Sequence, residues 1–547
     1  SYGIKDDLEM CLDQLKDPKS GKSFRVGLHD IPERFVIPTR LYGRESELAA
    51  LRNSSELVAS GARKITLITG PAGIGKTSLV NELYRDIASK KGHFVSGKFD
   101  QLYKNVPNGS VITPFKSLVH QILAGSEESL QNWKRSITEA LGVNCRVIID
   151  VIPEIELVVG PQPPVPDLEP LEAQSRFRIV FQEFIRVFCR LESPLLIFLD
   201  DLQWADLSSL KMLELIMTDS ETGHLHLVVA YRDDEVDQTH PLKMTLDAVC
   251  KTGTTPEEIF LQPLAVEDSC SLLSDTLRRD SQVVADLGNL LHRKTGGNPF
   301  FMREFLRSLY ESGLLEFDLS CGCWTWDFDR IQKLTITDNV ATLMTSRIRK
   351  LPALCRDFLT YGACLGTQFG IKPLSQAIGT TPTIVMNVLG AAVIEGLVFP
   401  VHENSEWLAT NPENHCNATG LEYKFSHDKI QAAVLNEVPD KDRSLIHERL
   451  GRTILKQTPA DQLDKMIFDI VNQLNLAVER ITEPDQKLEL ANLNFKAGFR
   501  AKLTSAYEVA LNYFKAGINL LGKNGWVGNY ELTLNLHVEA VESCYLI

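Results

Sequence analysis

Ile65-Thr66-Leu67-Ile68-Thr69-Gly70-Pro71-Ala72-Gly73-Ile74-Gly75-Lys76-Thr77 decides how this chain folds. An apolar, β-branched run of strand length feeds a glycine-rich loop, and a Lys-Thr pair opens a helix. The spacing Gly70-x-x-x-x-Gly75-Lys76-Thr77 is that of a phosphate-binding loop. Glycines let backbone N–H groups turn inward around an anion without Cβ clashes. The helix that follows aims its unsatisfied N–H groups and positive dipole end at the same phosphates. Gly70, Pro71, Ala72, Gly73, Ile74, Gly75, Lys76, Thr77 and Ser78 are therefore the candidate nucleotide-binding set. Lys76 is expected to reach the β- and γ-phosphates, and the Thr77 hydroxyl to stand beside Mg²⁺. A turn that binds nothing is the bland alternative, and the order strand, loop, Lys-Thr, helix weighs against it.

Leu195-Leu196-Ile197-Phe198-Leu199-Asp200-Asp201 is the second decisive element. Five apolar residues make a strand buried on both faces, as central parallel strands are. Two carboxylates follow at its C-terminal end, where ligands bind in open α/β sheets. Asp200 is expected to hold Mg²⁺, directly or through water, and Asp201 to orient the attacking water. A strand ending in Asp-Asp is also a helix-capping pattern. Its position about a hundred residues after a phosphate loop favours the catalytic reading. The next strand, Leu225–Tyr231, ends at Arg232. Arg232 reads either as a sensor of the γ-phosphate or as a loop ion pair with the acids beside it.

Strands alternating with helices predict a parallel α/β nucleotide-binding domain over residues 41–265. Residues 1–40 read as a short helix and a linker. Arg44, at a helix start, is from spacing alone an exposed arginine. A helical lid with a hairpin follows over 266–333. Within it Thr295-Gly296-Gly297-Asn298-Pro299 has the chemistry of a helix–helix corner, with Asn298 capping and Pro299 in the first helical position. Residues 334–445 give helices, then strand, long polar loop 403–420, strand and helix, the order of a winged helix. Its helix Thr383–Ile394 contains no Lys or Arg, so a reader of nucleic acid is excluded there and a protein-packing role is expected. His427, at the end of the last strand, fits a helix cap and a phosphate ligand equally well. From 446 to 547, small and aromatic residues at helical spacing suggest paired repeats that bind a protein partner, a plain helical bundle being the alternative.

The chain has 547 residues, 44% hydrophobic and 23% charged, with a formal net charge of -14. An acidic surface repels nucleic acid and anionic membranes, so any phosphate site has to be local. Eleven cysteines, an odd number, are scattered through apolar helical patterns and read as free thiols in a reducing compartment. Cys321-Gly322-Cys323 reads as a hairpin turn rather than a metal site. With no signal peptide or spanning segment evident, a cytoplasmic protein is expected. Ser1 in place of Met, and a C-terminus inside an apparent helix, suggest a piece of a longer chain.

Taken together, these motifs resemble the STAND class of signal-transduction NTPases, in particular the AAA-like ATPase module of large bacterial multidomain sensor kinases. The resemblance runs from about Phe35 to the end. It is tightest at residues 41–45, the phosphate loop, 199–206, 231–236, 295–301 and 425–428. It implies a P-loop sheet followed by lid, winged helix and tetratricopeptide-like repeats, with ATP or ADP and Mg²⁺ as ligands. It also implies that Arg44 lies near the adenine, that Pro299 packs on the base, that Arg232 is the sensor arginine and that His427 contacts the β-phosphate. The function implied is a slow ATPase switch, closed with ADP and opened on exchange. Its partners would be proteins on the repeats and kinase domains of the same parent chain, with a nucleotide-dependent oligomer as a further expectation. No kinase motif lies in the sequence itself. A ring-forming remodelling ATPase of the AAA type and a nucleotide-binding scaffold without hydrolysis are the rival readings.

Overall fold

The structure is a computed structural model that describes residues 35–334, 345, 347–401 and 421–547, except 90–91, 101–108, 167, 192, 220, 238 and 252. The expected helix before residue 35 and the polar loop 403–420 lie outside the described residues. In chain order the first part gives α1 (Glu45–Ala59), β1 (Arg63–Thr69), α2 (Lys76–Ser89), β2 (His93–Lys98), α3 (Gly109–Leu123), α4 (Glu127–Leu141), α5 (Cys145–Val151) and α6 (Pro170–Phe188). Then come β3 (Leu195–Asp200), α7 (Leu207–Thr218), β4 (Leu225–Tyr231), α8 (Pro241–Lys251) and β5 (Glu257–Phe260). The described residues cluster into two compact units. One comprises 35–50, 70–82 and 260–334; the other comprises 51–69, 83–259 and 345–547.

The larger unit holds the five-stranded parallel sheet, in the order β2-β3-β4-β1-β5. β3 is buried at all six positions and β4 at all seven, which explains why both read as unbroken apolar runs rather than alternating ones. Register sets Lys98 beside Asp200 and Thr69 beside Tyr231, so the ends of four neighbouring strands lie along one edge. Phe115, Phe181, Phe184 and Phe188 pack ring to ring under the sheet, with centroids 5.1–6.3 Å apart.

The stretch 145–159 holds more helix than the prolines around it suggest. α5 buries Cys145, Val147, Ile148, Ile149 and Val151. A helix apolar nearly all round carries no periodic signal. Pro153 opens a further helical turn, a position where its missing N–H costs nothing, and Ile155, Val158 and Val159 join the same core. From Gly160 to Pro166 the chain is irregular.

In the smaller unit, α9 (Val266–Leu277), α10 (Ser281–Thr295) and α11 (Pro299–Glu311) surround a core containing Leu273, Leu291 and Leu306. A hairpin of β6 (Leu315–Asp318) and β7 (Cys323–Trp326) closes it with buried Trp324. Cys321 and Cys323 are disulfide-bonded in the turn of that hairpin, so these two are not the free thiols expected. The tight turn brings the sulfurs together, a pairing that the two-residue spacing did not reveal.

The larger unit continues with α12 (Ala353–Leu365), β8 (Gln368–Gly370), α13 (Ile371–Ile378), α14 (Pro382–Ile394), β9 (Val398–Pro400), β10 (Glu422–Phe425) and α15 (Asp428–Asn436). β10 is the middle strand of an antiparallel β8-β10-β9 sheet, the arrangement of a winged helix. β8 is three residues long and escaped notice in the sequence for that reason. The helices α16 (Asp440–Gln457), α17 (Leu463–Leu476), α18 (Pro484–Leu503), α19 (Tyr507–Leu521) and α20 (Tyr530–Leu546) end the chain. α18 and α19 pack closely because Gly498 faces Phe514: a Cβ there would lie 2.4 Å from the ring. Among the described residues no single helix is long and apolar enough to cross a membrane.

Candidate functional site

The glycine loop leaves β1 at Thr69 and re-enters helix at Lys76. Gly70 and Gly73 hold φ +141° and +79°, conformations that L side chains rarely adopt. At Gly73 a Cβ would also lie 2.9 Å from Cβ of Phe300, so only glycine fits. The Lys76 ammonium donates to the carbonyls of Gly70 at 2.7 Å and Pro71 at 3.2 Å, which fixes it across the loop.

The Gly-Asn-Pro corner meets the same loop. The Asn298 side chain accepts from the Phe300 N–H and caps α11, while its Nδ2 donates to the Ala72 carbonyl at 3.0 Å. The Phe300 N–H also approaches the Gly73 carbonyl at 3.3 Å. Pro299 occupies the first turn of α11 directly beside these contacts. Asn298 thus does two jobs, and the sequence revealed only the cap.

Arg44 is not the exposed helix-start arginine that its spacing suggests. It is 6% exposed, and its guanidinium donates to the Gln262 carbonyl at 2.6 Å and reaches the Ile74 carbonyl at 3.5 Å. The positive φ of Gly43 turns the backbone into α1 and sends Arg44 inward.

In the larger unit, the sheet edge carries a compact charge network. Asp200 accepts from the Asp201 N–H at 3.0 Å, and Asp201 itself sits in the left-handed region at φ 56°. That backbone turn aims the Asp201 carboxylate at three donors. Lys98 Nζ stands 2.9 Å from Oδ2, Gln203 Nε2 3.0 Å from Oδ1, and Arg232 Nε 3.5 Å from Oδ1. Gln203 also accepts from the Arg232 N–H at 3.2 Å, so it ties the two residues together.

Arg232 makes the loop ion pair that its sequence position allowed. It pairs with Glu235 at 2.9 Å, and its Nη2 pairs with Asp428, the first residue of α15 in the winged helix. Its guanidinium lies 4.8 Å from the Trp204 ring centroid, and the Trp204 indole donates to Glu235. His427 stands at the cap of α15, its Nδ1 3.1 Å from the Lys429 nitrogen and against the Asp428 carboxylate.

Burial works against the charge of Lys98, but Asp200 and Asp201 outweigh it and hold the ammonium above its ordinary range. Burial likewise works to raise the Asp428 carboxyl. Its hydrogen bond to His427 and the charges of His427, Arg232 and Lys98 hold it far below the usual carboxylate range instead. Lys98 and Asp428 are therefore both charged at neutral pH.

Within the smaller unit the structure brings Arg44, the phosphate loop, Lys76 and Pro299 together. Within the larger unit it brings Asp200, Asp201, Arg232 and His427 to one edge. Lys98, Gln203 and Asp428 were missed. The signal for Lys98 was its place at the end of a strand neighbouring the Asp-Asp strand.

A parallel sheet with a glycine loop leaving β1 and paired carboxylates leaving its second neighbour, β3, defines a P-loop nucleoside-triphosphatase fold. Residues 40–229 match the family described as an AAA ATPase domain. The chain is similar along its full length, at 26% identity, to the hybrid signal transduction histidine kinase G of Dictyostelium discoideum. At 21% identity, 95% of it aligns with the peroxide stress-activated histidine kinase mak3 of Schizosaccharomyces pombe. It spans 19% and 24% of those two relatives. A STAND protein with a tetratricopeptide repeat sensor from Pyrococcus horikoshii aligns over 94% of this chain and 66% of its own, at 14% identity and a TM-score of 0.43. The likeness to signalling ATPase modules of sensor kinases, expected from the motifs, is thus found.

Proposed function

We propose that this chain is a nucleotide-operated switch that binds ATP with Mg²⁺, hydrolyses it slowly and passes its state to the rest of a signalling kinase. The loop 70–78 and Lys76 would hold the phosphates, with Arg44 and Pro299 toward the base. Thr77 and Asp200 supply hard oxygen donors of the kind Mg²⁺ accepts alongside phosphate oxygens. Mg²⁺ would supply charge neutralisation at the phosphates, and Asp201 would orient the attacking water.

One observation carries the reading. Arg232 pairs with Asp201 and with Asp428 of the winged helix, so one cation serves both the proposed hydrolytic carboxylate and the winged helix. A change at the phosphate edge is then felt by the winged helix, as a switch requires. The divisions at 41, 266, 334 and 446 are the functional modules of this reading, and the terminal helices are its partner-binding surface. A cytoplasmic location, a nucleotide-dependent oligomer and His427 as a contact for the β-phosphate of ADP belong to the same proposal.

The test is calorimetry with MgATP and MgADP on the chain and on Lys76→Ala, with turnover measured for Asp201→Asn. Binding by the first and not the second, with slow turnover that Asp201→Asn reduces about a hundredfold while binding persists, supports the switch. No heat with either nucleotide would overturn it.

A further inference from the structure

In β10, Leu421, Tyr423 and Phe425 are buried, whereas Glu422 and Lys424 are half-buried. Alternation along the strand puts Lys424 on the face opposite Tyr423 and Phe425, whose rings pack on Phe369. Two contacts hold this winged-helix sheet at the end of the large sheet. The Thr367 N–H donates to Asp100 at 3.2 Å, two residues beyond Lys98, and Asp428 pairs with Arg232. The Lys424 charge consequently lies within electrostatic reach of Asp200, Asp201 and Lys98. Lys98 and Arg232 are each committed to carboxylates. The Lys424 side chain makes no hydrogen bond or ion pair with any described residue. A half-buried ammonium whose side chain is bonded to none of these carboxylates is placed to take an anionic oxygen from a ligand.

We propose that Lys424 is a phosphate-binding residue supplied by the winged helix, and that it takes an oxygen of the terminal phosphate of a nucleoside triphosphate at the Asp200–Asp201 edge. This rests on the nucleotide reading above and adds to it a residue that distinguishes triphosphate from diphosphate. Lysine suits the task because its compact charge and three rotatable donors adapt to a phosphate oxygen. The wing would then report the γ-phosphate directly, apart from the Arg232–Asp428 pair.

The experiment is calorimetry of the full 547-residue chain with the Mg²⁺ complexes of a non-hydrolysable ATP analogue and of ADP, using wild type, Lys424→Met and Lys424→Arg. The expected result is that Lys424→Met weakens the triphosphate analogue about tenfold or more, leaves ADP within about twofold, and that Lys424→Arg restores most of the loss. Wild-type affinity for both ligands in Lys424→Met would overturn the proposal while leaving the nucleotide reading intact. Equal weakening of both ligands would also overturn it, because that is what a structural role produces. Absence of binding by the wild type would remove both readings at once.

Discussion

Arg232 and Asp428 stand 196 positions apart in sequence and form a direct ion pair, one at the end of a central strand and the other at the head of a winged-helix helix. Their side chains are only 11% and 13% exposed. Removing one partner of a buried pair strands the other charge, at a cost of about 3 kcal/mol or more. Asp428→Asn is expected to lower stability by that order in urea denaturation. It should also raise amide exchange at 233–235 and in the first turn of α15. Unchanged exchange at both places would mean that the pair does not hold the winged helix to the sheet.

Asn298 offers a test in which two contacts of one side chain separate. Asn298→Ala loses the α11 cap and the bond to the Ala72 carbonyl, each worth about 1 kcal/mol. Asn298→Asp retains the cap acceptor but has no N–H for Ala72. Alanine is therefore expected to cost about twice as much as aspartate in thermal or chemical unfolding. Equal losses would show that the cap acceptor contributes nothing, and a fully stable Asn298→Asp would show the same of Nδ2.

Gly73 and Gly75 both hold positive φ, yet only Gly73 is crowded. A Cβ at Gly75 meets nothing within 4 Å, while at Gly73 it meets Phe300 and Asn298. Gly73→Ala should destabilise by about 2–3 kcal/mol and Gly75→Ala by about 1 kcal/mol, since the second suffers backbone strain alone. Differential scanning calorimetry of the two variants side by side decides this, and a reversed order would contradict the packing described.

His226 is 1% exposed in β4, hydrogen-bonded to Thr66 at 2.9 Å and to Ser55 at 3.1 Å. Burial, assisted by the Lys64 charge, lowers its pKa to about 4. The unfolded chain binds this proton near pH 6.5 and the folded chain near 4, so the unfolded state holds more protons between those values. The contribution of His226 is complete above about pH 6.5 and falls as pH drops toward 4, by up to about 3 kcal/mol. Denaturation midpoints from pH 7 to 4.5 should show this slope, and His226→Gln should flatten it. Parallel profiles for the two proteins would refute the assignment.

What the sequence made legible was what it encodes locally. Strand β1 with its loop, and β3 with its two aspartates, are each contiguous, and each has a composition that only one environment explains. The corner at Asn298-Pro299 was equally plain as helix punctuation. The partners of those residues were not legible. Asp428 as the mate of Arg232, Lys98 as the mate of Asp201 and the inward turn of Arg44 all depend on which strand ends become neighbours, and no periodicity carries that. α5 was hidden because a short helix that is apolar nearly all round shows no rhythm. β8 was hidden because three residues are too few to alternate.

Strand β1 lies between β4 and β5, both of which come after it in the chain. Arg63 to Thr69 must therefore wait for Leu225 to Tyr231 before gaining a first neighbour. During synthesis the future phosphate strand emerges long before anything it can pair with, and closing so wide a loop is slow. A truncated chain ending ahead of Leu225 would leave β1 exposed on both sides and prone to aggregate. The edge proposed to meet nucleotide is thus among the last parts of the sheet to be completed as the polypeptide leaves the ribosome.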